Sequence, residues 1–485
     1  MDRVRTRFAP SPTGFMHIGN LRTALYAYLF AKSNDGDFIL RIEDTDRARY
    51  VEGAVEFIKN TLNAAKIFPD EGPDIGGDFA PYVQSQRMDI YKRYAEQLVE
   101  NGHAYRCFCR QSDEPSTVEP DKKFGGYDRH CRDLDPDVIA KNLADGVPYV
   151  IRQKMPLAGE TTFFDVLHGN ITIANSELED QVLLKRDGMP TYNFANVIDD
   201  HLMKVSHIIR GTEFITSTPK HVLLYQFFGW ELPIFIHLAP VMGKADDGSI
   251  SKLSKRHGAT SFDDLIKAGY LPEAITNYVA LLGWNPKNSN QEIFSMDELI
   301  EAFSLEGLSK SPAVFDYDKL DWMNGEYFKR MSDQSFADSA RNFVELDDNL
   351  ESKWEFLASL LKTRVSKFSE INGSIRFLIE KPAFDAELFI NKKNKVTVEK
   401  SIEIIEAALE QIDRIDDWTL ETISETIGAF AASTQLKLGT VMWPLRVGLS
   451  GQKVTPGGVN ELLYLLGKKN SLSRLHETLD NLKSV

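Results

Sequence analysis

The sequence predicts an α/β fold for the N-terminal part of the chain and an all-α fold for its C-terminal end. Val4 to Phe8 alternate like a short strand, and a turn rich in proline and glycine then leads into a helix with Leu21 and Leu25 on one face. Asp37 to Ile42 form a second, buried-type strand, and a helix over Val51 to Ala65 follows. From about residue 331 onwards apolar residues recur at helical spacing, and strand-like alternation is scarce.

The composition is typical of a large globular protein with several domains. The 485 residues exceed the length of one ordinary domain, and 42% of them are hydrophobic. We find no apolar run long enough for a membrane span and no targeting segment, so we expect a cytoplasmic protein without a membrane partner. Three cysteines do not make a disulfide framework, which fits a reducing compartment. The formal charge of −15 argues against wholesale nucleic-acid binding but permits a nucleic-acid partner at local positive patches.

The first motif that carries chemistry lies where the first strand turns into the first helix. There, His17 and Asn20 stand near the free N–H groups of the helix start, which suit a phosphate group. A lone histidine at this place more often only caps or packs the helix.

A second motif, Ser251 to Gly258, reads SKLSKRHG. Lys252 and Lys255 are three residues apart in a loop rich in serine and glycine, so they predict a mobile cationic clamp for phosphate groups. Taken alone, such a loop is usually a solvated turn. We predict a phosphate-binding site because both motifs are present.

Two strand ends carry charged residues. Glu43 to Asp46 follow the second strand, at the edge where open α/β sheets bind ligands, although a solvated turn is the alternative. Val205 to Arg210 form a strand that ends in a cation. Arg210 can bind a side-chain carboxylate with two N–H groups and has no acceptor for an amide, so it would separate a carboxylate from an amide. The alternative is an arginine paired with a local acid.

Asp199, Asp200 and His201 form another polar cluster. We interpret it as a solvated or hydrogen-bonded helix end rather than as a metal site or a catalytic triad.

The cysteines suggest a metal site. Cys107, Cys109 and Cys131 would supply three thiolates of a tetrahedral zinc site, and the spacing leaves the fourth ligand open between Tyr127, His130 and Asp133. The alternative is reduced, partly buried thiols. Such a zinc ion would be structural.

The two motifs together, HIGN at His17 and KLSKR at Lys252, resemble the paired signatures of class I aminoacyl-tRNA synthetases. With their flanks RFAPSPTG from Arg7 and RIEDTD from Arg41, they resemble the bacterial glutamyl-tRNA synthetases nearly end to end. The resemblance implies a Rossmann-like class I catalytic domain with an α+β acceptor-binding insertion, followed by stem-contact and all-α anticodon-binding domains.

The resemblance also implies the site residues. The catalytic residues are His17, Asn20, Lys252 and Lys255. The family's glutamate pocket corresponds to Arg7, Ala9, Ser11, Glu43, Tyr192, Asn196 and Arg210. We expect ATP contacts from Ser11, Thr13, Gly14, His17, Gly19, Asn20, Glu213, Lys252, Leu253, Ser254, Lys255 and Arg256. For the zinc site, Cys107, Cys109, Tyr127 and Cys131 are the expected ligands.

The expected domains follow the chain. Residues 1–83 and 201–260 form the two halves of the catalytic domain, and residues 84–200 form the insertion that holds the tRNA acceptor end. Residues 261–330 form the stem-contact domain, and residues 331–485 bind the anticodon. The helical C-terminal end distinguishes the bacterial family from relatives that end in a β-barrel.

The expected activity is ligation of L-glutamate to the 3′ end of tRNA(Glu) in two ATP-dependent steps through a glutamyl-adenylate. Magnesium is expected on the ATP phosphates, and the protein is expected to be a monomer. Two alternatives remain: a ligase that glutamylates a modified tRNA base, and a tRNA-binding protein that has lost catalysis. The roughly 150 residues after position 331 count against the first, and the intact motif residues count against the second.

Overall fold

The computed structural model describes residues 3–14, 16–109, 127–245, 247–254, 257–258, 260–287 and 289–484. The chain divides into two compact units. The first unit contains residues 1–265 and 272–316, and the second contains residues 266–271 and 317–485.

The first unit contains all the strands of the described residues. They are β1 (Arg5–Phe8), β2 (Asp37–Leu40), β3 (Ala104–Cys107), β4 (Val150–Gln153), β5 (Glu160–Asp165), β6 (Gly169–Ala174), β7 (Val182–Leu184), β8 (His207–Gly211), β9 (Ile234–Leu238), β10 (Val241–Lys244), β11 (Ile250–Lys252) and β12 (Ala313–Phe315).

Parallel strands organise the centre of the first unit. β1 pairs with β2 from Arg5 opposite Asp37 onwards, and β8 pairs with β9 from His207 opposite Ile234 onwards. A hydrogen bond from the backbone N–H of Ser206 to the carbonyl of Arg5 (2.9 Å) joins the start of β1 to the chain just before β8. The carboxyl ends of four parallel strands therefore lie at one edge, which is where such sheets bind ligands.

Further strands extend this arrangement or form separate small sheets. The alternately buried β5 pairs antiparallel with β6 and meets β9 in parallel at Asp165 opposite Phe235. β3, β4 and β7 form one three-stranded sheet, and β11, β10 and β12 form another. The second of these contains Lys252, whose register partner is Met242.

The helices of the first unit are α1 (Ile18–Lys32), α2 (Ala54–Ala64), α3 (Met88–Glu100), α4 (Pro136–Ala144), α5 (Tyr192–Leu202), α6 (Thr218–Phe228), α8 (Pro272–Ala280) and α9 (Met296–Ala302), and α7 (Phe262–Lys267) continues from this unit into the residues of the second. The sequence pattern predicts helical segments from Leu265 to Asn277 and from Tyr278 to Trp284. The first is wrong as a single helix, and α8 ends at Ala280 rather than at Trp284. Gly269 has a φ of +93°, in the left-handed region that glycine favours, and it separates α7 from α8.

The second unit is helical, as the sequence predicts, and its described residues contain no strand. Its helices are α10 (Tyr317–Arg330), α11 (Asp333–Ala340), α12 (Asp348–Glu351), α13 (Trp354–Leu361), α14 (Ile371–Ile379), α15 (Val398–Asp413), α16 (Leu420–Ser433), α17 (Leu438–Ser450) and α18 (Val459–Lys483). Gly467, with a φ of +77°, kinks α18. One apolar core runs through these helices, from Phe328 to Leu482. Among the described residues, no helix combines the length and the apolarity that crossing a membrane requires.

Candidate active site

The start of α1 is built around His17. Its backbone is extended (ψ 152°), and its Nδ1 accepts a weak hydrogen bond from the N–H of Gly19 (3.4 Å), so His17 caps the helix. The side chains of Ser11, Thr13 and Asn20 are exposed around this helix start. The N–H groups of Gly19 and Asn20 are not free, because they donate to the ring and to the carbonyl (2.9 Å) of His17, so the prediction of free N–H groups is wrong. The half-buried imidazole of His17 and the exposed polar side chains remain as the groups that a ligand could contact.

The structure brings the two sequence motifs together. We call the segment from Ser251 to Gly258 the lysine loop. His17 forms a β-bridge with Ser261, just beyond this loop, and the N–H of Ile18 donates to the carbonyl of Thr260 (3.1 Å). Burial, together with the positive charge of Lys252, lowers the pKa of His17. The imidazole of His17 and the ammonium of Lys252 thus lie close enough to interact, which places both motifs at one site.

The lysine loop is held by His257. The ring of His257 lies against Gly243, where an added Cβ would come within 2.6 Å of it. Its Nδ1 contacts Ser254, and its Nε2 lies 3.2 Å from the hydroxyl of Ser251. Leu253, between these serines, is buried and its N–H donates to the carbonyl of Val241 (3.1 Å). Lys255 and Arg256, which the sequence predicts to contact ATP, lie outside the described residues.

Two further predicted ATP contacts flank the helix start. Gly14 has a φ of +144° and open space around it. The exposed carboxylate of Glu213 folds back over the backbone of Gly211, and its charge acts on the buried guanidinium of Arg22.

A buried ion cluster lies behind the strand ends. Arg41, which is fully buried, donates to Asp200 (2.7 Å) and to Glu43 (2.8 Å). Arg7 donates to the same oxygen of Asp200 (3.0 Å), and the amide of Asn196 donates to Glu43 (3.2 Å). The predicted pocket residues Arg7, Glu43 and Asn196 are therefore brought together.

The cluster continues to Asp199. This fully buried carboxylate accepts hydrogen bonds from Arg87 (2.8 Å), Gln84 (2.9 Å) and Tyr91 (2.7 Å). Of the two predictions for Asp199 and Asp200, the hydrogen-bonded helix end is confirmed and the solvated one is wrong.

The two carboxyl groups that contact Arg41 differ in their pKa shifts. Burial raises the pKa of Glu43, although Arg41 opposes that effect. Burial also acts on Asp200, but Arg7 and Arg41 outweigh it and hold the pKa of Asp200 below its ordinary value. Asp200 is therefore a firmly charged anchor of the cluster.

Arg210 lies at the end of β8 in a different environment. Its guanidinium is 4% exposed and donates to His237 Nε2 (3.1 Å), His221 Nδ1 (3.3 Å) and Thr218 Oγ1 (2.8 Å). Within the part of the chain that the structure describes, no carboxylate lies within 4.0 Å of this guanidinium, so the alternative of pairing with a local acid does not hold. Burial lowers the pKa of Arg210.

The remaining predicted pocket residues lie along the same strand ends. Tyr192 begins α5, its ring packs 5.4 Å from that of Phe214, and burial together with the charge of Glu43 raises its pKa to about 12. Ala9 and Ser11 flank Pro10, whose carbonyl accepts from the N–H of Glu43 (3.0 Å). The sequence predictions assigned no site roles to His221, His237 and Thr218. The one usable signal was His237 inside the apolar strand Ile234–Leu238, and the sequence does not show that this strand pairs with the strand of Arg210.

The cysteines form a compact cluster, as predicted. The sulfur atoms of Cys107, Cys109 and Cys131 all lie within 4.8 Å of one another, and tetrahedral zinc holds sulfur ligands about 3.8 Å apart. The hydroxyl of Tyr127 accepts from the N–H of Cys131 (3.0 Å) and hydrogen-bonds to Cys107.

The other two candidates for the fourth ligand do not join this cluster. His130 is exposed, and Asp133 pairs with Lys154 (3.0 Å). The residues present fit a zinc ion, with three sulfur ligands and Tyr127 as the adjacent oxygen.

Comparison with family models assigns the class. The model of the class I (E and Q) tRNA synthetase catalytic domain matches residues 3–322, and an anticodon binding domain model matches residues 323–479. The fold and the site are those of a class I aminoacyl-tRNA synthetase.

Individual relatives narrow the class to a family. A glutamate–tRNA ligase of Clostridium botulinum is 50% identical over 490 residues, covering 99% of both chains. One from Clostridium kluyveri is 49% identical over 486 residues, covering 100% of this chain and 99% of that protein. A crystal structure of a glutamate tRNA ligase from Elizabethkingia meningosepticum, in complex with its amino acid, aligns with a TM-score of 0.86 at 38% identity, covering 99% of this chain and 100% of the other. The chain belongs to the glutamate–tRNA ligase family.

Proposed function

We propose that this chain ligates L-glutamate to the 3′ end of tRNA(Glu) in two ATP-dependent steps, through a glutamyl-adenylate. The observation that carries the proposal is the buried guanidinium of Arg210, which lacks a carboxylate partner among the described residues. A buried charge without a counter-charge costs free energy, and an anionic substrate group would remove that cost. The relatives and the joined motifs at His17 and Lys252 support ATP as the second substrate.

The glutamate pocket offers acceptors for the ammonium group at its other end. Glu43 Oε2 and Asn196 Oδ1 are buried, and neither has a hydrogen-bond partner among the described residues. An α-ammonium group would supply donors to both. We assign the side-chain carboxylate of glutamate to Arg210, and the remaining contacts to Arg7, Ala9, Ser11 and Tyr192.

In the first step, the α-carboxylate of glutamate attacks the α-phosphorus of ATP, and pyrophosphate leaves. The carboxylate is already ionised near neutral pH, so the protein positions the reactants and stabilises charge rather than supplying a base. His17 and the helix start near Asn20 would hold the phosphates, while Lys252 and Lys255 neutralise the departing pyrophosphate. The remaining ATP contacts are assigned to Thr13, Gly14, Gly19, Glu213, Leu253, Ser254 and Arg256. Mg²⁺ is expected on the ATP phosphates, where it would supply positive charge.

In the second step, the 2′-hydroxyl of the terminal adenosine attacks the carbonyl carbon of the glutamyl-adenylate. An ester bond forms to the ribose, the bond to phosphate breaks, and AMP leaves. We propose that residues 84–200 guide the acceptor end of the tRNA to this position.

Zinc would have a structural role in that segment. Cys107, Cys109, Cys131 and Tyr127 would hold the ion and connect β3 to the chain around Cys131. Mass spectrometry of the native protein should find one zinc per chain, and a Cys109→Ser variant should lose it. A metal-free native protein would contradict the assignment.

The other domains complete the tRNA contacts. We assign the stem of the tRNA to residues 261–330 and the anticodon to residues 331–485, with the catalytic domain formed by residues 1–83 and 201–260. Arg364, a candidate for an anticodon base contact, lines a pocket together with Arg446 and Thr455. We also propose that the protein is a monomer in the cytoplasm. This part of the proposal rests on the family resemblance.

Exchange of pyrophosphate into ATP, measured with glutamate, with and without tRNA, tests the function. We expect exchange that requires tRNA(Glu) and charging of its terminal adenosine. No exchange with tRNA present would leave only the non-catalytic binding protein. Exchange without tRNA, and without charging of the terminal adenosine, would favour the ligase that modifies a base.

A further inference from the structure

We propose that His237 and His221 are positioning residues that fix the plane of the Arg210 guanidinium, and that Asp165 anchors this arrangement from outside the pocket. The inference rests on the proposed function and deepens it. It assigns the discrimination between a carboxylate and an amide to a network of buried neutral acceptors, and not to Arg210 alone.

The first acceptor is His237 on β9, the register partner of Arg210 on β8. Asp165 accepts from both the ring Nδ1 (2.8 Å) and the backbone N–H (3.0 Å) of His237 with one oxygen. Its other oxygen accepts from the N–H groups of Leu167 and His168, each at 2.9 Å. Because this carboxylate only accepts, the ring hydrogen of His237 is on Nδ1. Nε2 therefore presents a lone pair to the N–H of Arg210.

The second acceptor is His221 on α6. Its Nε2 lies 2.9 Å from the amide oxygen of Asn193, whose amide nitrogen donates to Gln181 (3.0 Å). An amide oxygen accepts, so the ring hydrogen of His221 is on Nε2, and Nδ1 accepts from Arg210. Burial lowers the pKa of both histidines and keeps the rings neutral.

The third acceptor is Thr218, at the start of α6. Its hydroxyl donates to the carbonyl of Phe214 (2.8 Å) and therefore accepts from Arg210 (2.8 Å). Each of the three nitrogen atoms of the Arg210 guanidinium thus has a neutral acceptor, and the side chain of Tyr192 is a further hydrogen-bond partner. The network restrains the orientation of the guanidinium and leaves its positive charge uncancelled.

His237, between Asp165 and Arg210, explains how the guanidinium can be held in one orientation and still keep its positive charge for a ligand. A carboxylate in direct contact with Arg210 would also fix it, but it would compete with the carboxylate of the substrate. His237 transmits the anchoring of Asp165 to Arg210 without placing a negative charge in the pocket. Removing the acceptor should therefore weaken glutamate binding and selectivity, and leave ATP binding unchanged.

The test compares His237→Leu with His237→Gln in the full-length enzyme, in aminoacylation assays with tRNA(Glu). His237→Leu removes the acceptor, and we expect the KM for glutamate to rise about tenfold, which corresponds to the loss of one hydrogen bond to a charged group. The ratio of kcat/KM for glutamate over glutamine should fall by a similar factor, while the KM for ATP stays within about twofold. His237→Gln places an oxygen near Nε2 and should recover most of the loss.

Ile236→Val is the matched control, because Ile236 is buried on the same strand and its side chain points to the other face of the sheet. It should leave both KM values unchanged. A KM for glutamate within twofold of wild type in His237→Leu, or equal changes in both KM values, would overturn the inference. If the wild type itself fails to charge tRNA(Glu), the proposed function fails instead.

Thr218→Val provides a second test with little change in volume. It removes the acceptor for the third guanidinium nitrogen, so the KM for glutamate should rise several-fold while that for ATP holds. An unchanged KM for glutamate in this variant would also count against the network, even if His237→Leu does not fold.

Discussion

Two buried arginines in the same unit have opposite surroundings. Arg41 is fully buried and lies within 4.0 Å of three carboxylates, those of Glu43, Asp199 and Asp200. Arg210 is 4% exposed, and its partners His237, His221 and Thr218 are all neutral. The protein neutralises the first charge itself, and we propose that a ligand neutralises the second. On that proposal, the charge of the partners, and not burial alone, separates a structural arginine from a binding one.

The comparison predicts its largest effect for Asp200→Asn. This change removes the negative charge that Arg7 and Arg41 share, and it leaves two buried guanidinium groups short of a partner. Breaking a buried ion pair typically costs about 3–5 kcal/mol, so urea titration should show a loss of that size in the free energy of unfolding of the N-terminal unit. Arg210→Gln, which removes a buried charge without a carboxylate partner, should be at least as stable as the wild type. A loss below about 1 kcal/mol in Asp200→Asn would show that Arg7 and Arg41 do not depend on the charge of Asp200.

We expect the lysine loop to act on the phosphate groups of ATP and not on glutamate. Lys255→Ala should slow activation by about 10²–10³-fold, the usual effect of losing one group that stabilises transition-state charge. Glutamate affinity should be nearly unchanged, because we assign the side chain of glutamate to Arg210 and not to the loop. Lys252→Ala should behave similarly in single-turnover activation. A strong loss of glutamate binding with normal turnover would show that these lysines bind glutamate and not the phosphate groups of ATP.

The smallest predicted effect is on the acid dependence of stability. Arg7 and Arg41 hold the pKa of Asp200 below its ordinary value, so the stabilisation from Asp200 is fully present above its unfolded pKa of about 3.9 and is lost as the pH falls through its lower folded pKa. Glu43 contributes with the opposite sign, because its folded pKa is raised.

Urea titrations between pH 3 and 6 should therefore show a shallower loss towards acid in Asp200→Asn than in the wild type. Arg210→Gln should keep the wild-type slope, since Arg210 pairs with no carboxylate among the described residues. Identical slopes in all three proteins would show that Asp200 is not the charged anchor of the cluster.

Individual strands and helices were predictable where prolines and glycines mark their ends in the sequence. β1 falls within one residue of its predicted bounds, and α1 begins within a residue or two of the predicted helix start, because the prolines and glycines between them favour a turn there. The second strand ends at Leu40 rather than Ile42, and Gly269 interrupts a segment with good helical periodicity. Helical periodicity of apolar residues indicates which face of a segment is buried. It does not indicate a single residue at which the backbone leaves the helical conformation.

The site was predictable as a set of residue types, but not as a set of pairs. The motifs at His17 and Lys252 indicated a shared phosphate site, and the structure joins them. Asp200 lies 193 residues from Arg7 and 159 residues from Arg41 along the chain. No local pattern therefore shows that Asp200 is buried between them. The same limit hid the neutral partners of Arg210, because only the pairing of β8 with β9 places His237 beside it.

The most direct test of the role of Arg210 is a competition between glutamate and glutamine for charging of tRNA(Glu), with the wild type and Arg210→Gln side by side. We expect the wild type to discriminate strongly, and we expect Arg210→Gln to lose about 100-fold or more in kcat/KM for glutamate, the scale of a charge-assisted, bidentate contact, with most of the discrimination gone. Discrimination that stays at the wild-type ratio in a folded Arg210→Gln protein would contradict the account, because the carboxylate would then be recognised elsewhere.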